Sequence, residues 1–232
     1  MKITLCILTL NERPCLEVMF PRIAAQASGA AFDDIVAIDG GSTDGTVEFF
    51  KDHDVAVLAQ TSGGRGGAML LALEKIEADA FVFFSPDGNE DADDLPKFRP
   101  LLDEGADLVI ASRMMTGAHN EEDNHVLKWR KWANNAFTIL ANAFFRGDGS
   151  YVTDTINGYR AFTKSAAAAL DLDAPDYTIE YQMTIRALGH RMKIVELATF
   201  EGERIAGETG APSIPTGLKF MKCLWREWKR NR

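Results

Sequence analysis

Between Ser85 and Asp91 the chain reads Ser-Pro-Asp-Gly-Asn-Glu-Asp, a run of oxygen donors broken by one glycine. Carboxylates and carboxamides at this spacing are hard-cation ligands, so Mg²⁺ or Mn²⁺ could be held here against a substrate's phosphates. A solvated acidic loop capping the next helix is the plainer reading of the same residues. A second group is Gly63-Gly64-Arg65-Gly66-Gly67. Its missing Cβ atoms let backbone approach a phosphate, and Arg65 adds a donor fork suited to phosphate oxygens. The string fits neither G-x-G-x-x-G nor a P-loop, and alone it could be a flexible turn. The third group is Asp39, followed by Gly40-Gly41-Ser42-Thr43-Asp44-Gly45-Thr46. Its carboxylate could accept from a ribose hydroxyl or a base N–H, or simply shape a turn.

The elements that must position these groups alternate. Lys2 to Thr9 reads as a strand, Pro14 opens a helix through Leu16, Met19, Phe20 and Ile23, and Asp34 to Asp39 is the next strand. A short helix from Val47 to Lys51, a strand from Val55 to Gln60, a helix from Ala68 to Ile76 and the apolar strand Phe81 to Phe84 come after it. Such repetition predicts an α/β fold, a mainly parallel central sheet flanked by helices. Ligands bind beyond the carboxyl ends of the strands in such sheets, which places the three glycine-bearing turns along one rim.

Farther on, Asp93-Asp94 are expected to cap a helix through Leu102, and Ala106 to Ala111 form a fifth strand ending at Ser112-Arg113. Met114 to Asn124 reads as a mobile polar loop, with His119 lacking any metal spacing. A long helix from His125 to Phe145 should bury Ala133, Phe137, Leu140, Ala141 and Phe144. Thr153 to Phe162 alternates like a strand, then come a helix near Thr178 to Leu188, a strand from Met192 to Phe200 and a loop from Glu203 to Gly210. Residues 1–214 are expected to form one domain. Residues 215–232 form a basic amphipathic helix with Leu218, Met221, Trp225 and Trp228 on one stripe. It could lie on an anionic membrane or dock on the core or a partner subunit.

With 232 residues and a net charge of −9, the chain can hold one large core but is poorly suited to nucleic acid. Three widely spaced cysteines indicate neither a disulfide framework nor a zinc site, which fits a reducing cytoplasm. The first residues read as a strand rather than a signal peptide, and no apolar run is long enough to be a transmembrane helix.

Thr9-Leu10-Asn11-Glu12, Ile38 to Thr46, Gly64 to Ala68 and Ser85 to Asn89 resemble, in order and spacing, the family 2 glycosyltransferases of GT-A fold. Asp154 to Phe162, with Glu180 and Arg204 downstream, resembles the branch of dolichyl- and polyprenyl-phosphate sugar transferases. The resemblance implies that Leu10, Asn11, Glu12 and Asp39 contact the nucleoside of a UDP- or GDP-linked sugar, with Gly64, Arg65 and Gly66 at the donor phosphates. It implies that Asp87 and Asn89 hold the divalent metal, with Asp91 as a further ligand. Asn89 departs from the family's paired carboxylates, and Gly40 stands where many members carry Asp. On the acceptor side the resemblance points to Arg113, Arg130 and Asn134, and to Asp154, Arg160, Glu180 and Arg204 beside the reacting atoms.

The expected activity is an inverting, metal-dependent transfer from a nucleotide sugar to a polyprenyl phosphate, peripheral on the inner face of the membrane, with a homodimer left open. A saccharide or small-molecule hydroxyl as acceptor is the alternative, and Asp154 or Glu180 would then serve as base. A non-catalytic nucleotide-sugar binder is a third reading, prompted by Asn89. The opening at Thr9 to Glu12 disfavours a sugar-phosphate nucleotidylyltransferase.

Overall fold

The computed structural model describes residues 1–27, 31–124, 128–206 and 213–231. The first four strands, β1 (Ile3–Thr9), β2 (Asp34–Asp39), β3 (Ala56–Ala59) and β4 (Ala80–Phe84), alternate with α1 (Arg13–Ala27), α2 (Thr46–Asp52) and α3 (Arg65–Lys75). They run parallel in the order β3-β2-β1-β4, with Thr9 beside Asp39 and Cys6 beside Phe83. The expected βαβ half is therefore present, and its registers bring the carboxyl ends of β1, β2 and β4 to one rim.

The second half is mixed. After α4 (Phe98–Asp103) come β5 (Leu108–Ser112), α5 (Trp129–Phe145), β6 (Arg160–Thr163), α6 (Lys164–Leu170), α7 (Ile179–Gly189), β7 (Ile194–Ala198) and α8 (Ser213–Arg230). Strand β6 lies between β4 and β5, antiparallel to both, while β7 pairs parallel with β5 at the edge. Only Arg160–Thr163 is strand in the segment that alternates from Thr153 to Phe162. Its earlier polar residues turn inward to side-chain partners instead of a ladder. Asp91, not Asp93 or Asp94, caps the turn that precedes α4, accepting from the Asp93 amide.

Two cores sandwich the sheet. One packs α1, α2 and α4 on the sheet through Leu16, Phe20, Phe50 and Phe98. The other packs α3, α5, α7 and α8 through Met69, Ala141, Tyr181 and Leu224. Phe81, Val82, Phe83 and Phe84 are buried on both faces, at roughly 1.5–3 kcal/mol for each large side chain removed from water. Helix α5 corrects the expected burial: Asn134, Thr138, Ala141, Asn142 and Phe145 face inward, and Phe144 is 54% exposed. The helix is turned toward polar partners. Asn142 Nδ2 donates to Val152 O at 2.8 Å, and Thr138 meets the Thr155 hydroxyl at 3.0 Å.

Candidate active site

The site grows from the end of β4. Where the apolar strand stops, the Ser85 amide donates to Glu90 Oε2 at 2.7 Å, closing a turn that carries Asp87, Gly88 and Asn89 at its tip. Gly88 takes φ +97°, a left-handed conformation, and a Cβ there would meet Ile205 Cγ1 at 2.7 Å. The turn is thus pressed against the segment after β7. Ile205 N donates to Asp87 O, and Gly202 N donates to Asn89 O, each at 2.9 Å. Asp87 is buried, and its Oδ2 lies 3.0 Å from Arg204 Nη2. Burial pushes its carboxyl above the usual range, and the Arg204 charge works against that rise.

A cleft of about 310 Å³ opens beside this turn. Its lining is mixed: Arg65, Asp87, Glu90, Arg113, Glu180 and Arg204 bring charge. Trp129, Ala133 and Phe137 of α5, Phe220 of α8, and Ile156 add apolar surface, with Arg130, Lys131 and Asn134 of α5 among them. Phe137, Tyr181 and Phe220 pack ring against ring behind it, with centroids 5.3–5.7 Å apart.

Beside the cleft, β1 and β2 end in interlocked turns. Asn11, at φ +58°, donates from its amide to Ser42 Oγ and accepts at Oδ1 from the Thr43 amide. The Glu12 amide donates to Thr46 Oγ1 at 3.0 Å.

These features have recognisable relatives. Residues 4–164 match glycosyl transferase family 2. The chain belongs to that family. It is similar to glycosyltransferase AglJ of Haloferax volcanii, 31% identical over 208 residues that cover 86% of this chain and 64% of the relative. It is 26% identical to the dolichol-phosphate mannosyltransferase of Pyrococcus furiosus, covering 99% of this chain and 64% of that one. With the undecaprenyl-phosphate mannosyltransferase of Micrococcus luteus it shares 29% over 222 residues, covering 90% and 87%. The chain thus spans just under two thirds of the first and second of these relatives. Among solved structures, glucosyl-3-phosphoglycerate synthase of Mycobacterium tuberculosis, in complex with Mn²⁺ and UDP, superposes with a TM-score of 0.75 at 21% identity, covering 98% of this chain and 80% of that one. The fold is the GT-A fold that the sequence motifs lead one to expect.

Within this family 2 fold the expected site residues divide into those that face the cleft and those that brace it. Asp87, Asn89, Arg65, Arg113, Arg130, Asn134, Glu180 and Arg204 all line it. Leu10, Asn11, Glu12 and Asp39 stand outside it on the adjoining rim. Asp39 spends both oxygens on its own turn: Oδ2 accepts from the Gly41 and Ser42 amides at 2.8 Å, and Oδ1 from Ser42 Oγ at 2.5 Å. A nucleoside contact by Asp39 would have to displace one of these donors.

Four expectations are corrected. Asp91 does not join Asp87, because Arg22 of α1 holds its Oδ1 at 2.9 Å and the same oxygen caps the following turn. Gly64 and Gly66 do not face the cleft. A Cβ at Gly66 would lie 2.1 Å from Ala174 O, and one at Gly64 2.5 Å from Pro175 O, so the close approach of the chain before α7 is what requires glycine at both positions. Arg160 is fully buried and donates to the carbonyls of Asn157 and Glu180 and to Thr184 Oγ1. Burial draws its guanidinium down to about 10, and its work is to join β6 to α7. Asp154 is 0% exposed and cannot reach a substrate hydroxyl. It accepts from Arg113 Nε at 2.7 Å and Nη2 at 3.1 Å, and from the Asn157 amide at 3.1 Å. Burial alone would raise its carboxyl, but Arg113 holds it below the ordinary carboxylate range.

Arg113, expected at the acceptor phosphate, gives its other nitrogen to Glu201 at 2.8 Å. Glu201 also accepts from Asn120 Nδ2 at 2.6 Å and the Glu121 amide at 3.1 Å. The polar stretch from Met114 to Asn124 is therefore strapped to the segment after β7. Arg130 faces Glu121 at 3.2 Å, and Asn134 Nδ2 lies 3.3 Å from Asp154. Arg65 reaches Glu180 at 2.5 Å and Ser85 Oγ at 2.8 Å. It ties α7 to the turn at β4 while lining the cleft, and its Nη2 is buried with no hydrogen-bond partner among the described residues. Glu90 and Glu201 were not singled out in the sequence. Glu90 stood in the acidic run without a spacing that set it apart, and Glu201 gains its partners only through the pairing of β5 with β7.

Among the described residues no three His, Cys, Asp or Glu side chains converge to hold a metal ion by themselves. Asp87 and Asn89 nevertheless suit a hard cation shared with a ligand. Asn89 spends its amide nitrogen on Gly202 O at 2.9 Å and Glu121 at 3.3 Å, which turns its carbonyl oxygen toward another partner. One carboxylate and one carbonyl would hold such a cation only together with oxygens from a ligand or water.

Proposed function

We propose that the chain catalyses transfer of a sugar from a UDP- or GDP-linked donor to a polyprenyl phosphate, with inversion and with a divalent metal at Asp87 and Asn89. The observation that carries the acceptor assignment is the mixed lining of the cleft, in which charged side chains share one space with Trp129, Phe137 and Phe220. An acceptor with a phosphate head and a hydrocarbon chain matches both kinds of surface, whereas a free saccharide or phosphoglycerate leaves the apolar side chains in water. The names of the Pyrococcus and Micrococcus relatives point the same way.

In this reading the acceptor phosphate oxygen attacks the anomeric carbon as the bond to the nucleoside diphosphate breaks. The acceptor is already anionic, so no general base is required, in keeping with Asp154 being sealed and Glu180 being held by Arg65. When bound, Mg²⁺ or Mn²⁺ supplies positive charge to the leaving diphosphate. Arg204 and Arg130 face the same cleft and would add donors where charge develops. Arg65 and Arg160 act by holding Glu180 and the start of α7 in place.

Residues 1–214 form the transferase unit in this proposal, and α8 meets the membrane surface on its inner, cytoplasmic side. Leu218, Met221 and Trp225 are exposed along α8, and Trp129, Trp132 and Ile139 are exposed along α5. Lys229 lies 3.5 Å from the centre of the Trp225 ring, an amphipathic arrangement suited to a bilayer interface. No helix among the described residues is long and apolar enough to cross a membrane.

A thermal-shift panel of UDP- and GDP-sugars with and without Mn²⁺, followed by transfer to a short-chain polyprenyl phosphate or to a soluble glycan, tests the reading. Stabilisation by one donor only when metal is present, and transfer to the lipid phosphate alone, is expected. Asp87→Ala should abolish turnover without lowering Tm. Turnover onto a glycan but not onto the lipid phosphate would replace the acceptor assignment.

A further inference from the structure

We infer that Arg204 is an exchangeable counter-charge on the metal-binding carboxylate, and that its exchange couples metal binding to nucleotide binding. This rests on the proposed metal role of Asp87. A buried carboxylate is costly without a cation, and here the cation is the Arg204 guanidinium, 3.0 Å from Asp87 Oδ2 and 3.8 Å from Glu12 Oε1. A divalent ion on the same oxygen would stand against that guanidinium at like-charge contact distance. Metal and Arg204 therefore compete for Asp87.

Two observations mark the arginine as poised to leave. Its Nε is buried with no hydrogen-bond partner among the described residues, so the pose leaves a donor unsatisfied. The backbone around it is fixed independently: Ile205 N to Asp87 O, Gly202 N to Asn89 O and Asn89 Nδ2 to Gly202 O are each 2.9 Å. The guanidinium can swing while the segment that carries it stays clasped to the metal turn. A diphosphate bound beside Asp87 gives the displaced fork two anionic oxygens to meet. Metal alone leaves Arg204 to the more distant Glu12, 3.8 Å away, whereas metal with nucleotide moves it onto phosphate. Each ligand then raises the affinity for the other, and Arg204 carries part of that coupling.

The experiment measures Mn²⁺ affinity by electron paramagnetic resonance in the full chain and in Arg204→Gln, each without nucleotide and with saturating UDP or GDP. Removing the competitor should tighten Mn²⁺ binding without nucleotide by about twofold to fivefold, the weight of one partly exposed ion pair. The same variant should shrink the enhancement produced by nucleotide, and unchanged circular dichroism would certify its fold. If Arg204→Gln binds Mn²⁺ alone no more tightly than the parent chain while nucleotide still enhances binding equally in both, the exchange is refuted but the metal site stands. If neither protein binds Mn²⁺ under any condition, the metal reading and the inference both fall.

Discussion

Replacing Arg113 by Met separates two roles that the same arginine could have. As an acceptor-phosphate ligand it would be spare until substrate arrived, and its loss would leave the resting protein unharmed. The geometry instead spends it on Asp154 and Glu201. Asp154 is wholly buried, so Arg113→Met removes the fork at 2.7 and 3.1 Å and leaves a charge served only by Asn134 and backbone amides. Breaking a buried pair from one side costs about 3–5 kcal/mol, and at about 2–4 °C per kcal/mol in a chain of this size Tm should fall by roughly 6–20 °C. Asp154→Asn keeps an acceptor and a shape, so it should cost less. The double variant should cost less than the sum of the singles, with a coupling energy of about 0.5–3 kcal/mol. Urea unfolding followed by fluorescence and circular dichroism gives all four corners of the cycle. An Arg113→Met protein that melts with the parent chain yet has lost transfer would refute the positioning role and return Arg113 to the acceptor.

Glu90 sets a pH dependence. Burial lifts its carboxyl to about 8 from an ordinary value of 4.5, with nearby Arg65 drawing it back only in part. The folded chain keeps a proton that the unfolded chain releases between those values, so the contribution is full below about pH 4.5 and fades as pH rises through about 8. Glu90→Gln should flatten the fall of Tm across that window. Gly66→Ala forces a Cβ to 2.1 Å from Ala174 O, a backbone atom, and should cost roughly 3 kcal/mol or more, read as a lowered urea midpoint. Trp225→Glu together with Met221→Glu should cut sedimentation with phosphatidylglycerol vesicles by about tenfold while Tm stays put, since both side chains are exposed.

The first half of the fold was legible because its signals are local. The β4 run of four apolar residues, the turn after it and the glycine-bearing turns after β2 and β3 each lie within a dozen positions, and their strands run parallel with β1 between β2 and β4. Even there, spacing could not separate a glycine that admits a phosphate from one that admits Ala174 and Pro175. The second half was harder to read because its partners are distant. Arg113 meets Asp154 and Glu201 from 41 and 88 positions away, and Arg65 meets Glu180 from 115. On α5 the apolar period pointed to a face containing Phe144, whereas hydrogen bonds from Asn134, Thr138 and Asn142 turn the helix about its axis. Buried polar side chains carry no periodic signature until their partners are known.

The antiparallel strand β6 has a consequence for how members of this family can diversify. The family match ends at residue 164, as β6 gives way to α6, and by then the first six strands have all found neighbours. Beyond that junction, the C-terminal part of the chain supplies Glu180, Glu201, Arg204 and the apolar side chain of Phe220. A chimera joined at this point would keep the glycine-bearing turns, the turn at Asp87 and the cleft face of α5 from one parent and take Glu180, Glu201, Arg204 and Phe220 from the other. The sheet itself thus offers a graft point at which a lineage can exchange one part of the cleft lining while six of its seven strands stay as they were.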